Sequence, residues 1–194
     1  MSALNEIATY LVYVSFSLYL LAMLLRFLLQ LVRADFYNPI SQALVKLTNP
    51  LVIPVRKVLP GYGGIDLASL VLAVALQMLM ILLLIYLKYD ALLSIAPLLM
   101  ASILGTVAYL VNIYFFALLA MIILSWVAPR SNNPAVYLLY QITEPVMAPF
   151  RKVLPPMGGL DLSPILVFIL INIIQIALQH MAAALGVAGL VFWL

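Results

Sequence analysis

The chain has 194 residues, of which 68% are hydrophobic and 8% are charged, and its mean hydropathy is +1.25. Soluble domains carry about 25% charged residues, so this composition excludes a water-soluble globular fold and makes the lipid bilayer the expected solvent. The formal net charge is +3 and cysteine is absent, which excludes a disulfide framework, thiolate catalysis and cysteine-ligated metals.

The sequence repeats itself at an offset of 95 residues. The string RKVLPGYGGIDL at 56–67 recurs as RKVLPPMGGLDL at 151–162, and 15 of the 30 positions in 38–67 are identical to their counterparts in 133–162. We therefore predict two tandem repeats, residues 1–97 and 98–194. In each repeat a basic connector, punctuated by proline and glycine, joins two long apolar runs.

The first repeat is predicted to hold two membrane-spanning helices, at about 7–32 and 67–87. Each run is long and apolar enough to cross about 30 Å of hydrocarbon. Arg26 lies near the end of the first run, and we expect its guanidinium to extend to the lipid headgroups while its stem stays in hydrocarbon. A buried partner for Arg26, or a place on a substrate path, is the alternative.

The first connector, 33–66, is predicted to contain two short segments, both too short to span the membrane. An amphipathic helix begins at Asn38, which is a good cap before Pro39, and Pro50 restarts the chain into a weaker segment at 51–59. Glycine then permits a sharp turn, and an aspartate can cap the next helix. The predicted turn and cap residues are Gly63, Gly64 and Asp66.

The second repeat is predicted to hold spans at about 102–127 and 163–185, joined by the connector 128–162. Pro97 and Gly105 suggest that its first span begins near Ser102, and the sequence leaves open whether 91–101 is interfacial, re-entrant or a loop. Its last span is expected to begin with a cap and proline at Ser163 and Pro164. The turn and cap residues of this connector are Gly158, Gly159 and Asp161.

The distribution of lysine and arginine predicts the orientation in the membrane. The two connectors carry seven such residues, whereas the opposite side has Lys88 alone. Basic loops stay in the cytoplasm, so we predict cytoplasmic connectors and both termini outside. Two spans per repeat return the chain to the same side, so the repeats are expected to be parallel, unlike the inverted repeats of many transporters.

Basic pairs in the connectors are the first candidate functional feature. They lie beside apolar residues, so they favour anchoring at anionic lipid headgroups, and docking of an acidic protein partner is the overlapping alternative. The aspartate caps could instead pair with connector arginines or hold a cation. The basic residues are Arg56, Lys57, Arg151 and Lys152.

Amide side chains inside the spans are the second candidate feature. Three of them recur at i, i+3 and i+7 on the last span and share one face. Because an unpaired amide in hydrocarbon is unfavourable, we expect this face to point into the bundle and to form hydrogen bonds between repeats or protomers. A polar lining for an ion or solute path is the alternative. The residues are Gln77, Asn112, Asn172, Gln175 and Gln179.

The motif of the second repeat resembles the YggT family of small bacterial membrane proteins, which is related to the YlmG-type proteins. It is carried by Asn-Pro at 133–134, Thr-Glu-Pro at 143–145, Arg-Lys at 151–152, Gly-Gly at 158–159 and Asp-Leu-Ser-Pro at 161–164. The first repeat departs from it at Asn49, Gly61, Ala68 and Ser69. The resemblance implies a protein of the bacterial inner (plasma) membrane. It also implies a link to osmotic or ion homeostasis, to cell division or envelope organisation, or to complex assembly in plastids.

These patterns predict an all-α polytopic membrane protein that is not an enzyme. No nucleophile with a neighbouring base and no metal-ligand set can be found, so we expect no catalytic residue, metal or cofactor. The leading hypothesis is a protein that organises or assembles envelope or cell-division complexes through its connectors, with lipids and those proteins as partners and no nucleic acid. An ion or osmolyte channel, or its regulatory subunit, is the alternative. Four helices bury little surface, so a homo-oligomer is also considered.

Overall fold

The computed structural model describes residues 3–128, 132–154 and 161–191, and its regular elements there are helical apart from one isolated bridge. The six α-helices are α1 (Ala3–Leu31), α2 (Pro39–Arg56), α3 (Leu67–Tyr89), α4 (Ile95–Val127), α5 (Pro134–Val153) and α6 (Ser163–Ala184). Four of them, α1, α3, α4 and α6, are long and apolar enough to cross a membrane. The predicted all-α class with four spans is confirmed.

The long helices pack in the order α1, α3, α4, α6, and the shorter α2 and α5 contact both long helices of their own repeat. Arg26, near the end of α1, lies beside Asp66, just before α3 begins, so these two helices run antiparallel. In the second repeat, Asn112 of α4 contacts Gln175 of α6, and Phe115, further along α4, contacts Phe168, which lies earlier in α6. The helices α4 and α6 therefore also run antiparallel. The two repeats are therefore built alike, with the connectors at one end of the bundle.

The connector helix α2 is continuous, which corrects the prediction of two segments separated at Pro50. Pro50 and Pro54 both lie inside the helix, and α5 contains Pro145 and Pro149 at the equivalent places. A proline removes the donor for the carbonyl four residues earlier. In α2 those carbonyls belong to Lys46 and Pro50, which are exposed residues, so solvent or headgroups can satisfy them.

The helix α4 begins at Ile95, which corrects the predicted start near Ser102 and makes most of 91–101 helical. Pro97 falls in the first turn, where a backbone N–H has no partner within the helix, so proline is tolerated there. Thirty-three residues extend about 50 Å. This helix is therefore longer than the hydrocarbon thickness and must tilt or project beyond it.

The turn before α3 has the predicted form. Gly63 and Gly64 both have positive φ, and Tyr62 and Ile65 exchange backbone hydrogen bonds across them. Asp66 caps α3 by accepting a hydrogen bond from the Ser69 N–H. The corresponding Gly158 and Gly159 lie outside the described residues.

At the start of α6, the prediction of Ser163 as the cap is wrong, whereas Asp161, also predicted as a cap residue, does receive a helix amide. Ser163 is the first residue of the helix, and its backbone N–H donates to Asp161 Oδ1 at 2.9 Å. Its hydroxyl donates to the Leu154 carbonyl. Asp161 therefore receives the first amide of α6, because it precedes the helix and its carboxylate reaches back over the N-terminus.

The repeats meet most closely where α3 crosses α4, at Gln77 and Gly105. Gln77 is fully buried, and a Cβ built on Gly105 would lie 2.7 Å from Gln77 Nε2. Gly105 sits inside α4, away from the helix start that its presence suggested. Its missing side chain lets the two helices approach around a polar group, as small residues commonly do between membrane helices.

We expect larger residues at Gly105 to loosen the contact between the repeats in proportion to their size. Gly105→Ala should lower the free energy of unfolding only slightly, because the end of the Gln77 side chain can move. Gly105→Leu should lower it by about 1–3 kcal/mol through overpacking. Thermal unfolding in detergent micelles measures both variants, and Ala177→Leu on the exposed side of α6 is the control. Equal stability of Gly105→Leu and wild type would contradict this packing role.

Candidate functional site

A buried polar cluster joins the three helices of the first repeat at the connector end. We call Arg26, Thr48, Asn49, Arg56 and Asp66 the first cluster. Arg26 is only 4% exposed, and its Nη1 donates to Thr48 Oγ1 at 2.7 Å and to Asn49 Oδ1 at 2.8 Å. The prediction that Arg26 reaches the headgroups is therefore wrong, and the alternative of a buried partner is correct. Two acceptors on α2 hold this guanidinium inside the protein.

Asp66 receives three side chains in this cluster. Its Oδ2 accepts a 2.5 Å ion-pair hydrogen bond from Arg56 Nη2 and a 2.5 Å hydrogen bond from Ser69 Oγ, and Arg26 Nε lies 3.9 Å away. The Asp66 carboxylate is fully buried. A buried charge needs such pairing because desolvation would otherwise be prohibitive. Asp66 therefore combines the helix cap with the arginine pairing that was its alternative.

The equivalent residues of the second repeat form a different arrangement, the second cluster. Arg151 Nη1 pairs with Glu144 Oε2 at 2.5 Å, and Arg151 Nε pairs with Asp161 Oδ2 at 2.9 Å. Partial burial alone would raise the pKa of Asp161, but hydrogen bonds from Ser163 and Arg151 outweigh it and hold the pKa below its usual value. Burial would likewise lower the pKa of Arg151, and the two carboxylates raise it instead.

Two paired exchanges distinguish the clusters. At the 95-residue offset Met121 stands where the first repeat has Arg26, and Glu144 stands where it has Asn49. Thr143 Oγ1 lies 3.1 Å from Met121 Sδ, just as the equivalent Thr48 contacts Arg26. With two arginines and one aspartate, the first cluster carries a formal charge of +1. With one arginine and two carboxylates, the second carries −1.

The carboxylates of the second cluster are also more open. The side chains of Asp161 and Glu144 are 32% and 49% exposed, whereas the Asp66 side chain is inaccessible. The paired arginines differ less, with Arg56 40% and Arg151 30% exposed. A cavity of about 570 Å³ adjoins the second cluster, and its lining includes Met121, Trp126 and Arg151. The space beside Met121 is therefore large enough for a longer side chain.

The predicted basic pairs divide into two groups. Arg56 and Arg151 turn towards aspartates, whereas Lys57 and Lys152 are exposed. Within the described part of the chain, no carboxylate lies in ion-pair distance of Lys57, Lys152 or the exposed Lys46. The lysines thus remain available for outside anions, and the arginines are engaged within the protein.

The two connectors also contact each other. Asn38 Nδ2 donates to the Pro134 carbonyl at 2.9 Å, and the Asp35 N–H donates to Gln141 Oε1 at 3.1 Å. Apolar side chains of α2 and α5 face one another around a cavity of about 160 Å³, whose lining includes Leu44 and Leu138. The pair therefore forms one surface, which we call the connector surface, made of α2, α5 and their flanking residues.

The intramembrane amides do not form the expected inward face. Gln77 is buried between the repeats, and Gln175 Nε2 donates to Asn112 Oδ1 at 3.3 Å. Asn172 and Gln179 are exposed on the outside of α6, which contradicts the prediction that the amide stripe points into the bundle. The helical period showed which residues share a face, but it could not show which face of α6 the bundle covers.

The described residues do not form a metal site: within 3–128, 132–154 and 161–191 no three His, Asp or Glu side chains are grouped to hold an ion. In this geometry each cluster holds its connector against the start of the following span. Arg130, one of the seven basic residues of the connectors, lies outside the described residues, as do the glycines of the second turn.

The family model CCB3/YggT matches this chain twice, at residues 5–87 and 100–182. An uncharacterized protein of Pseudomonas aeruginosa is 51% identical over 188 residues, 96% of this chain and 95% of its own length. The uncharacterized protein YggT of Escherichia coli K12 is 37% identical over 179 residues, 92% of each chain. The YlmG homolog protein 2 of Arabidopsis thaliana chloroplasts is 39% identical over 79 residues, 41% of this chain and 30% of its own. No solved structure matches the chain.

We expect Arg26→Met to lower the free energy of unfolding by about 1–3 kcal/mol, because Thr48 and Asn49 lose their donor. Adding Asn49→Glu should recover part of the loss, since Arg56 could then bind two carboxylates as Arg151 does. Denaturant unfolding in micelles measures both variants. Arg33→Met, at an exposed residue just after α1, is the control, and an equal effect of Arg26→Met and Arg33→Met would contradict the buried role.

The reciprocal change, Met121→Arg, should be tolerated. The new guanidinium would find Thr143 and Glu144 and would bring the second cluster to neutrality, so we expect a stability change within about 1.5 kcal/mol. Leu118→Arg is the matched control, because Leu118 is fully buried in an apolar cluster on the same helix and an unpaired charge there should prevent folding. Yield and monodispersity after detergent extraction compare the two variants, and similar failure of both would refute the prediction.

Proposed function

The chain belongs to the CCB3/YggT family, and we propose that it is a non-enzymatic inner-membrane protein that organises envelope or cell-division complexes. In this proposal the connector surface faces the cytoplasm. Its free lysines contact anionic headgroups and the acidic segments of the proteins that it recruits. The lipid-crossing helices serve to hold that surface at the membrane.

The observation that carries the proposal is the joining of both connectors into one surface with free cations. Asn38 and Gln141 link α2 to α5 by hydrogen bonds. Lys46, Lys57 and Lys152 are exposed and lack carboxylate partners among the described residues. Each lysine near an anionic leaflet contributes about 1 kcal/mol, so the three together favour adhesion to that leaflet.

Exposed apolar side chains accompany these lysines. On α2, Leu47 and Ile53 are more than half exposed, and on α5 Tyr137 is 56% exposed. Helices that carry an apolar side together with basic residues lie in the interface of a membrane, and the same combination suits a protein partner with an acidic rim. The lysine bias towards the connectors supports a cytoplasmic location for this surface.

Conduction of ions or osmolytes is the less supported function. Its sequence basis was the amide stripe of α6, and Asn172 and Gln179 face away from the bundle. Within the described residues, the amides that do lie between helices are Gln77 and the pair of Asn112 and Gln175. Gln77 packs against Gly105 of α4, and the hydrogen bond between Gln175 and Asn112 joins α6 to α4, as interhelical amides usually do.

The proposal predicts that Lys46→Gln, Lys57→Gln and Lys152→Gln together abolish partner recruitment while leaving membrane insertion intact. The arginines are not substituted, because Arg56 and Arg151 hold the clusters together. Their loss could impair folding, and that effect could not be told apart from a loss of binding. The measurement is crosslinking followed by affinity purification from native membranes and identification of the captured proteins. Lys88→Gln, at the opposite end of the bundle, is the matched control. An unchanged set of captured proteins in the triple variant would reject the proposal.

The orientation can be measured in the same preparations, because the chain has no cysteine. A single cysteine at Tyr37, which is 90% exposed beside α2, and another at Leu92, which is 75% exposed at the opposite end, report the two sides. A membrane-impermeant thiol reagent added to intact cells should label Leu92→Cys and leave Tyr37→Cys unlabelled. The reverse pattern would place the connector surface outside and would contradict the proposal independently of any partner.

A further inference from the structure

The helix α6 has an exposed face that carries polar side chains into the membrane. It is the least buried of the four long helices, with 22% of its most apolar part inside the protein against 33–44% in the others. Asn172 lies about 14 Å from the start of α6 at 1.5 Å per residue, so it sits near the middle of the hydrocarbon. Among the described residues, Asn172 donates solely to the Phe168 carbonyl of its own helix. Gln179 forms no hydrogen bond with the described residues.

These amides belong to a regular seam. Six exposed residues of α6 follow one another at alternating spacings of four and three, which is the spacing that brings two helices together in a left-handed crossing. Isoleucine occupies three of the positions, with exposures of 52–55%, and alanine ends the seam. The seam residues are Ile165, Ile169, Asn172, Ile176, Gln179 and Ala183.

The first repeat shows what this face does when a neighbour is present. At the 95-residue offset, Asn172 corresponds to Gln77 and Ile176 corresponds to Ile81. Both Gln77 and Ile81 are fully buried, and Ile81 packs in the same apolar cluster as Ala101 and Leu104 of α4. The same face is therefore a helix-packing face in α3, and in α6 the chain supplies no helix to cover it.

We infer that a second copy of this chain covers the seam, with α6 of one protomer packed against α6 of its partner. A two-fold axis along the membrane normal keeps both protomers in the same orientation and places like residues at the same depth. An amide is both donor and acceptor, so Asn172 pairs with the partner's Asn172, and Gln179 pairs with the partner's Gln179. An apolar partner helix would leave the Asn172 amide oxygen and the Gln179 amide without partners in hydrocarbon.

The chemistry also sets the register of this pair. A single asparagine in an apolar helix seam fixes which residues lie opposite each other, because any slip separates the amides. Here two amides stand seven residues apart. Both protomers insert in the same orientation, which excludes an antiparallel pairing of Asn172 with the partner's Gln179, and among the parallel arrangements only the in-register one pairs both amides. The contact does not use the connector surface, so its failure would leave the proposed function standing, and the converse also holds.

Single-cysteine crosslinking tests the dimer directly, since the chain contains no cysteine. Ile169→Cys and Ile176→Cys lie in the seam. Leu170→Cys and Ala177→Cys lie one residue further along, at nearly the same depth, on the other exposed side of α6. In native membranes under mild oxidation, we expect at least tenfold more disulfide-linked dimer from the seam positions. Equal yields on both sides, no dimer from any position, or linkage to a different protein would each overturn the inference.

A second measurement removes the amides without touching the fold. Asn172→Leu with Gln179→Leu changes exposed residues only, and it should reduce self-association roughly tenfold, the effect expected of interhelical amide bonds. Energy transfer between labelled copies in liposomes, measured against dilution into lipid, reports that change. Asn172→Gln keeps an amide and should retain most of the association. An undiminished dimer in the double leucine variant would show that the amides do not hold it.

Discussion

The ion pair between a connector arginine and the aspartate before the next span is the constraint on which the rest of this structure depends. Arg56 binds Asp66 and Arg151 binds Asp161, each across ten residues of chain. The aspartate also accepts the first amides of the following helix, so one carboxylate ties the end of the connector to the start of the span. This link prevents the connector from swinging away from the bundle, and it orients α2 and α5 so that they can meet.

Duplication supplied this link twice, and the two copies then acquired different surroundings. The first is closed by Arg26 and Asn49, which leave a buried cluster with an excess positive charge. The second has Met121 and Glu144 instead. It carries an excess negative charge and is open to a cavity. In the first repeat Arg26 donates to Asn49, and in the second repeat Glu144 is bound by Arg151 instead, so the polar groups of each cluster find partners among its own residues. The paired exchanges therefore preserve the hydrogen-bond pairing within each repeat, and they give the two clusters net charges of opposite sign.

Much of this architecture could be predicted from sequence, and the failures have physical causes. Hydropathy and the internal repeat indicate four spans and two parallel units because a bilayer imposes both helix length and side-chain polarity. The role of Arg26 could not be read in the same way, since its acceptors come from α2, and only the folded repeat brings them together. The continuity of α2 was missed because a local rule for proline ignores whether the freed carbonyls can reach solvent. Gly105 looked like a helix boundary, and only the position of Gln77 shows that it is a contact.

Gln77 and Asn172 occupy equivalent positions in the two repeats, but Gln77 is buried and Asn172 is exposed. A tandem array presents the same face in every unit, and each unit relies on the next one to cover it, so the last unit normally carries a surface suited to its solvent. In a membrane that surface should be apolar. The outward side of α1 is mainly apolar, with Leu4, Ile7, Leu11 and Leu18 beside the small polar Ser15, whereas the outward side of α6 keeps two amides. One end of the array is therefore adapted to lipid and the other to protein, and that asymmetry arises from the residues themselves rather than from the fold, which is the same in both repeats.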